Sequence, residues 1–269
     1  MANLPRKAKP GRKWDDYDLK AHNMEWQLQT LDEFFGVSEL PELEDPNIIP
    51  FTTTAYRHEA TDDATYKLIH HLDAAYAPMD CQGTAFDTFV EHLLESMGYA
   101  NGRRIIQTQY EYPFLISGES RLVAHTDVCL LDETNKVLLL ARRSRMPEEG
   151  DLEPDPLPPM VAAAIAAFQY YNRSVTLKEM DVPAIAFYGT WPRFYKIKVT
   201  KQLSDSVRFG LYPAEHIVIP CHIPKHSPAS MHTMGMLALE NRVIVLRYLQ
   251  AFKAMVEGES ESNHVRTFL

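Results

Sequence analysis

His125 and Asp127 stand two residues apart in RLVAHTDVCLL. On an extended strand that spacing puts both side chains on one side. An imidazole beside a carboxylate can ligate a metal or act as an acid–base pair. The plainer alternative, which the sequence favours, is a polar pair at a sheet end held by Arg143 or Arg145. A cationic run, Arg142-Arg143-Ser144-Arg145, follows in the chain. Lys196 and Lys198 alternate with Ile197 and Val199 and so share a face. With Arg193, Arg143 and Arg145 they could line a phosphate-binding cleft, or they could form a solvated strand face. Cys221, His222, His226 and His232 have a loose zinc-ligand spacing. No second cysteine is near, and scattered surface histidines are the favoured reading.

The elements that would position these groups follow from periodicity. Trp14 to Phe35 carries enough apolar residues for a short helix docking on a core, and residues 38–50 read as a proline-rich acidic loop. A helix is expected over 62–77. From Thr84 to Met97 the apolar residues Phe86, Phe89, Val90, Leu93, Leu94 and Met97 form one stripe at the helical period. Thr84 with Asp87 resembles a capping box, and Gly98 suits the helix stop. Asp87, Glu91 and Glu95 fall on the flank and back of that helix. The period then changes to two. Strands are expected at 105–116, 121–131 and 137–145, the last two joined by the turn 132–136. The apolar start of the third suits a central strand buried on both faces. Residues 147–159 read as a long surface loop, followed by an alanine-rich helix over 160–173. Strands at 183–189, 193–200 and 215–221 and a helix at about 235–256 complete the chain. The order predicts an α/β fold, a mixed central sheet flanked by helices.

Composition limits the function classes. Of 269 residues, 45% are hydrophobic and 23% charged, which speaks against disorder over most of the length. Three cysteines, widely spaced, do not make a disulfide scaffold. No run approaches the ~18 apolar residues of a membrane span, and the start MANLPRKAKPGRKW has no secretory pattern. The expected setting is intracellular, cytoplasmic or nuclear, with no membrane partner. Net charge is −9, but residues 1–13 hold five basic residues and no acid. They read as a disordered basic arm: an import signal, a nucleic-acid tether or a solubilising tail. A single domain is expected over 14–257, with a flexible tail at 258–269. A body this acidic repels polyanions except at a local basic groove.

Residues 84–173 resemble the PD-(D/E)XK nuclease superfamily, the restriction-endonuclease-like fold. The resemblance rests on His125-Thr126-Asp127-Val128 in the second strand and Val137-Leu138-Leu139-Leu140 in the third. The segment Ala164-Ile165-Ala166-Ala167-Phe168-Gln169-Tyr170 is similar to one in uncharacterised fungal proteins of that fold. The resemblance implies a helix before a three-stranded meander, an Asp on the second strand, and an acid-x-Lys on the third that together hold Mg²⁺ or Mn²⁺. Here Arg143 stands in the place of the acid and Arg145 in the place of the lysine. Arginine is no metal ligand and does not deprotonate; two guanidiniums beside Asp127 would pair with it instead. The expectation is therefore a nuclease-derived protein with a degenerate metal site and no cofactor. It would act as a binding or interaction module for nucleic acid or another phosphate-bearing ligand, with an anion-binding cleft drawn from Arg143, Arg145, Lys196, Lys198 and Gln169. Gln169 could equally be a helix-surface polar residue. One alternative is an active metal-dependent nuclease using Asp127, with His125 as a further candidate ligand. Glu91, Glu95, Glu148 or Glu149 would then supply the relocated acid, and Arg145 would stand in the lysine's place. Another is an enzyme acting on a small anionic substrate.

Overall fold

The computed structural model describes residues 8–77, 83–144, 155–225 and 232–264. In chain order the elements are α1 (Asp16–Ala21), β1 (Met24–Leu28), α2 (Leu31–Phe35), α3 (Ile49–Thr53), α4 (Asp63–Tyr76), α5 (Ala85–Ser96), β2 (Ile105–Ile116), β3 (Glu119–Leu131) and β4 (Val137–Ser144). Then come α6 (Leu157–Tyr171), β5 (Glu179–Tyr188), β6 (Trp191–Thr200), α7 (Lys201–Phe209), β7 (Ile217–His222) and α8 (Leu239–His264). One mixed sheet has the order β1-β7-β6-β5-β4-β3-β2. The meander β2–β3–β4 is antiparallel, and β4 and β5 run parallel across the α6 crossover. The protein is an α/β fold, with helices on both faces of a sheet that has seven strands among the described residues.

Each face carries its own core. One joins α6, Trp14, Leu19 and the α7 residues Leu203 and Val207 to the sheet. The other joins Phe34, Phe51, α4, α5 and α8. The run Val137–Ala141 in β4 is buried throughout and contributes to both cores, as its unbroken apolar pattern predicted. The alanines of α6 bring it close to the sheet. Gly11 sits there too: a Cβ at that position would lie 2.7 Å from Ala124 Cβ and 3.1 Å from Ala162 Cβ. Pro158 and Pro159 stand in the first turn of α6, where amides have no intrahelical acceptor and proline costs little. The helix therefore starts inside the segment predicted as loop.

Three other expectations are corrected. The predicted helix within 14–35 is instead α1, β1 and α2; Trp14, Leu19 and Phe34 are buried, but Trp26 and Leu28 are exposed on β1. Residues 8–13 do not hang free. Gly11–Lys13 forms a 3-10 turn, and Lys9 pairs with Asp15 (3.1 Å) and with Asp18. At the other end α8 continues past 257 to His264. Among the described residues no helix is long and apolar enough to cross a membrane.

Candidate functional site

In the β2–β3 pair, Thr108 faces Val128 and Tyr110 faces Thr126, which sets Gln109 opposite Asp127. Gln109 has φ +51°, a left-handed backbone inside a strand, which a non-glycine residue adopts at a cost of about 1–3 kcal/mol. Both strands change face at this level. Ile106 belongs to the α8-side core, whereas Tyr112 and Phe114, of the same parity, belong to the α6-side core. Likewise Ala124 lies in the α6-side core and Val128 and Leu130 in the other. In an unbroken strand residues of one parity share a face. The paired slip gathers polar side chains at the corner between α5, β2 and β3.

A continuous polar chain results. Gln109 Nε2 donates a hydrogen bond to Asp87 Oδ2 on α5. Gln109 Oε1 meets His125 Nε2 at 2.9 Å. Because a carboxamide oxygen only accepts, His125 carries its proton on Nε2. Its Nδ1 lies 3.6 Å from Asp127 Oδ1. Asp127 Oδ2 accepts the backbone N–H of Arg143 on β4 at 2.7 Å. Burial lowers the His125 pKa, against the opposing pull of Asp127.

Asp87 is the carboxylate whose titration the corner raises. It is 5% exposed, and burial raises its pKa to about 6, with the nearby charges of Asp127 and Glu91 adding to the rise and Gln109 and Arg143 opposing it. The expected capping role is not taken up: Thr84 makes no side-chain cap bond at the start of α5, and Asp87 turns to Gln109 instead. Its importance had one trace in the sequence. Asp87 precedes Val90 by three and Leu94 by seven residues, so it borders the buried stripe rather than the solvent face.

Of the expected site residues, His125 and Asp127 do come together. Glu91 lies one turn from Asp87 and acts on it through charge alone, while Glu95 faces His92 at 3.4 Å. The Arg143 guanidinium does not pair with Asp127; it lies 5.7 Å over the Phe86 ring, because only the strand amide of Arg143 points along the ladder toward β3. Arg142 is mostly buried and donates to the His125 carbonyl at 3.0 Å; burial lowers its pKa.

The wider anion-binding cleft is not assembled. Lys196 donates to the Phe34 carbonyl at the end of α2 and lies 4.6 Å over the Phe34 ring. Lys198 pairs with Glu179 (3.4 Å) and Asp181 (3.9 Å) on the neighbouring strand. Arg193 stacks on Tyr188 at 3.8 Å. Gln169 is structural: its amide group both accepts from Leu115 N and donates to Leu115 O, each at 3.0 Å. Leu115 is skipped where the β2–β3 register shifts, and Gln169 satisfies the backbone groups that the ladder leaves there. For the loose zinc cluster, Cys221 packs in the α6-side core while its neighbour His222 meets Phe34, Phe35 and Tyr248 on the other face. His222 Nδ1 is within 2.9 Å of the Gln29 carbonyl. Adjacent strand residues point apart, so these two cannot share a metal. Arg145, Glu148, Glu149, His226 and the side chain of His232 fall outside the described residues.

Sheet and corner together define an α/β protein with two electrostatically coupled carboxylates, Asp87 and Asp127, bridged by Gln109 and His125. Among the described residues no three His, Cys, Asp or Glu side chains are grouped as a metal centre. Compared with models of known protein families and with curated proteins, the chain matches none of them.

Proposed function

We propose that this chain is a nuclease-derived protein of the restriction-endonuclease-like type whose metal site is degenerate, and that it works as a binding or interaction module for a phosphate-bearing ligand. The element order α5–β2–β3–β4–α6–β5, with Asp127 on the middle strand of the meander, supports that ancestry. The observation that carries the loss of hydrolysis is at Asp127. Oδ2 is taken by the Arg143 amide and Oδ1 faces His125, while position 143, where an acidic ligand would stand, is arginine. The ligand contact is the Arg143 guanidinium, which has no carboxylate within ion-pair distance among the described residues and stands at the edge of the corner over Phe86. An intracellular setting, cytoplasmic or nuclear, goes with this reading, since Cys129 and Cys221 are free thiols.

A second reading, metal-dependent phosphodiester hydrolysis with a relocated acid, is favoured by one observation. Asp87 is held near pKa 6 by burial and, in part, by the negative charge of Asp127. Two carboxylates whose charges oppose each other offer hard oxygen donors suited to Mg²⁺ or Mn²⁺. Such an ion would polarise a phosphate bound against it.

Titration of the pure protein with Mn²⁺, followed calorimetrically, separates the two readings. The first expects no Mn²⁺ binding that Asp87→Asn or Asp127→Ala abolishes, no cleavage of single- or double-stranded DNA or RNA, and weaker retention of an oligonucleotide by Arg143→Ala. Cleavage that requires Mn²⁺ and is lost in Asp127→Ala would overturn it in favour of the second.

A further inference from the structure

We propose that β1 is a self-association edge, and that two copies of this chain pair antiparallel through Met24–Leu28 to join their sheets. Among the described residues β1 is the terminal strand of the sheet, bonded on one side only, parallel to β7. The amide of Gln29 donates to the Cys221 carbonyl (2.8 Å), and the carbonyl of Asn23 accepts from Ile217 N–H (3.0 Å). Backbone groups alternate in direction along a strand. The odd-numbered residues of β1 therefore turn their groups toward β7, and Met24, Trp26 and Leu28 turn theirs outward.

Those same three residues carry the apolar side chains. Met24 is buried, but Trp26 is 45% and Leu28 58% exposed. They lie in register with Ile217, Ile219 and Cys221, which are buried in the α6-side core. Among the described residues the apolar layer of the sheet thus continues past its covering helices and ends on a strand with no further neighbour. Sheet edges are ordinarily guarded by charged side chains, lysine above all, by proline or by a bulge; the segment Met-Glu-Trp-Gln-Leu has one charge, Glu25, and neither lysine nor proline, and its pairing with β7 runs without a register shift.

The segment is also complementary to its own reverse. Centred on Trp26, an antiparallel pair sets Met24 against Leu28 of the second copy, Glu25 against Gln27, and Trp26 against Trp26. The outward-facing backbone belongs to the residues that this register makes hydrogen-bonded pairs. Apolar side chains meet apolar ones on one face, and on the other each carboxylate meets a carboxamide, with no like charges opposed. A segment without that symmetry would call for a different partner.

Sedimentation equilibrium of the full chain tests this. A monomer–dimer equilibrium is expected, with Trp26→Glu monomeric at every concentration. Gln27→Lys, at an exposed position, sets an ammonium opposite Glu25 twice per dimer and is expected to tighten the dimer by roughly three- to tenfold. A monomeric wild type up to millimolar concentration overturns the proposal. So does a dimer whose affinity is unchanged in Gln27→Lys, because the register would then be wrong.

Discussion

Replacing Asp87 by asparagine keeps an acceptor for Gln109 Nε2 and removes only the charge. In the unfolded chain this carboxyl ionises near 3.8, in the folded chain near 6. The folded state therefore binds the extra proton, and the stability present below pH 3.8 is lost as pH rises through 6. Complete ionisation in the folded state costs about 3 kcal/mol. Asparagine has no such dependence, so any constant effect of the substitution cancels when two pH values are compared. Between about pH 4.5 and 8, Asp87→Asn should gain about 2 kcal/mol on the wild type. In urea titrations followed by tryptophan fluorescence, that is a relative midpoint shift of roughly 0.5–1 M. Mn²⁺ separates the two functional readings in the same assay. If it raises wild-type stability at alkaline pH but leaves Asp87→Asn unmoved, the corner binds the cation. A stability gap that is the same at both pH values refutes the electrostatic account of Asp87 and, with it, the coupling to Asp127.

Arg242 on α8 is buried and donates to four carbonyls: Met236 (2.7 Å), Phe51 (3.0 Å), Thr54 (2.7 Å) and Ala55 (3.3 Å). Burial brings its pKa down to about 10, and Arg242→Ala, which leaves those carbonyls without their donor, should cost about 3–5 kcal/mol in thermal or denaturant unfolding. His71 on α4 stacks on His92 of α5 at 4.4 Å, with His70 at 5.4 Å, and its pKa is lowered by burial and by the neighbouring charges of His92, His70 and Lys67. Its contribution is present above pH 6.5 and is lost as pH falls below that value, so His71→Gln should flatten the fall in Tm between about pH 7 and 5. Gly11→Ala drives a methyl group into Ala124; it should destabilise by about 1–3 kcal/mol and speed limited proteolysis before Trp14, with unchanged cleavage showing that the N-terminal segment does not depend on this contact.

The meander and its flanking helices were legible because their signals are local. The stripe Phe86–Met97 declares a helix, alternation over 105–131 declares two strands, and the run Val137–Ala141 declares a strand buried on both faces. His125 and Asp127 do meet, as their spacing suggested, although β3 changes face between Ala124 and Val128. The rest of the corner did. A phase slip at Gln109 moves later residues of β2 to the other face, and only packing against two separate cores shows that it has occurred. Asp87 could be told from Glu91 and Glu95 only once α5 was seated on the sheet with Gln109 in reach. Lys196 and Lys198 were correctly placed on one face, but their partners, Phe34 on α2 and the β5 acids, come from elements that tertiary packing brings alongside. Strand β1 illustrates the same division: five residues carry too little pattern to declare themselves, and they become a strand because β7 offers a ladder to complete. Periodicity thus determined which segments are regular and which faces are apolar. The contacts between segments decided which charged groups meet, because electrostatic coupling depends on distances across the fold and not on spacing along the chain.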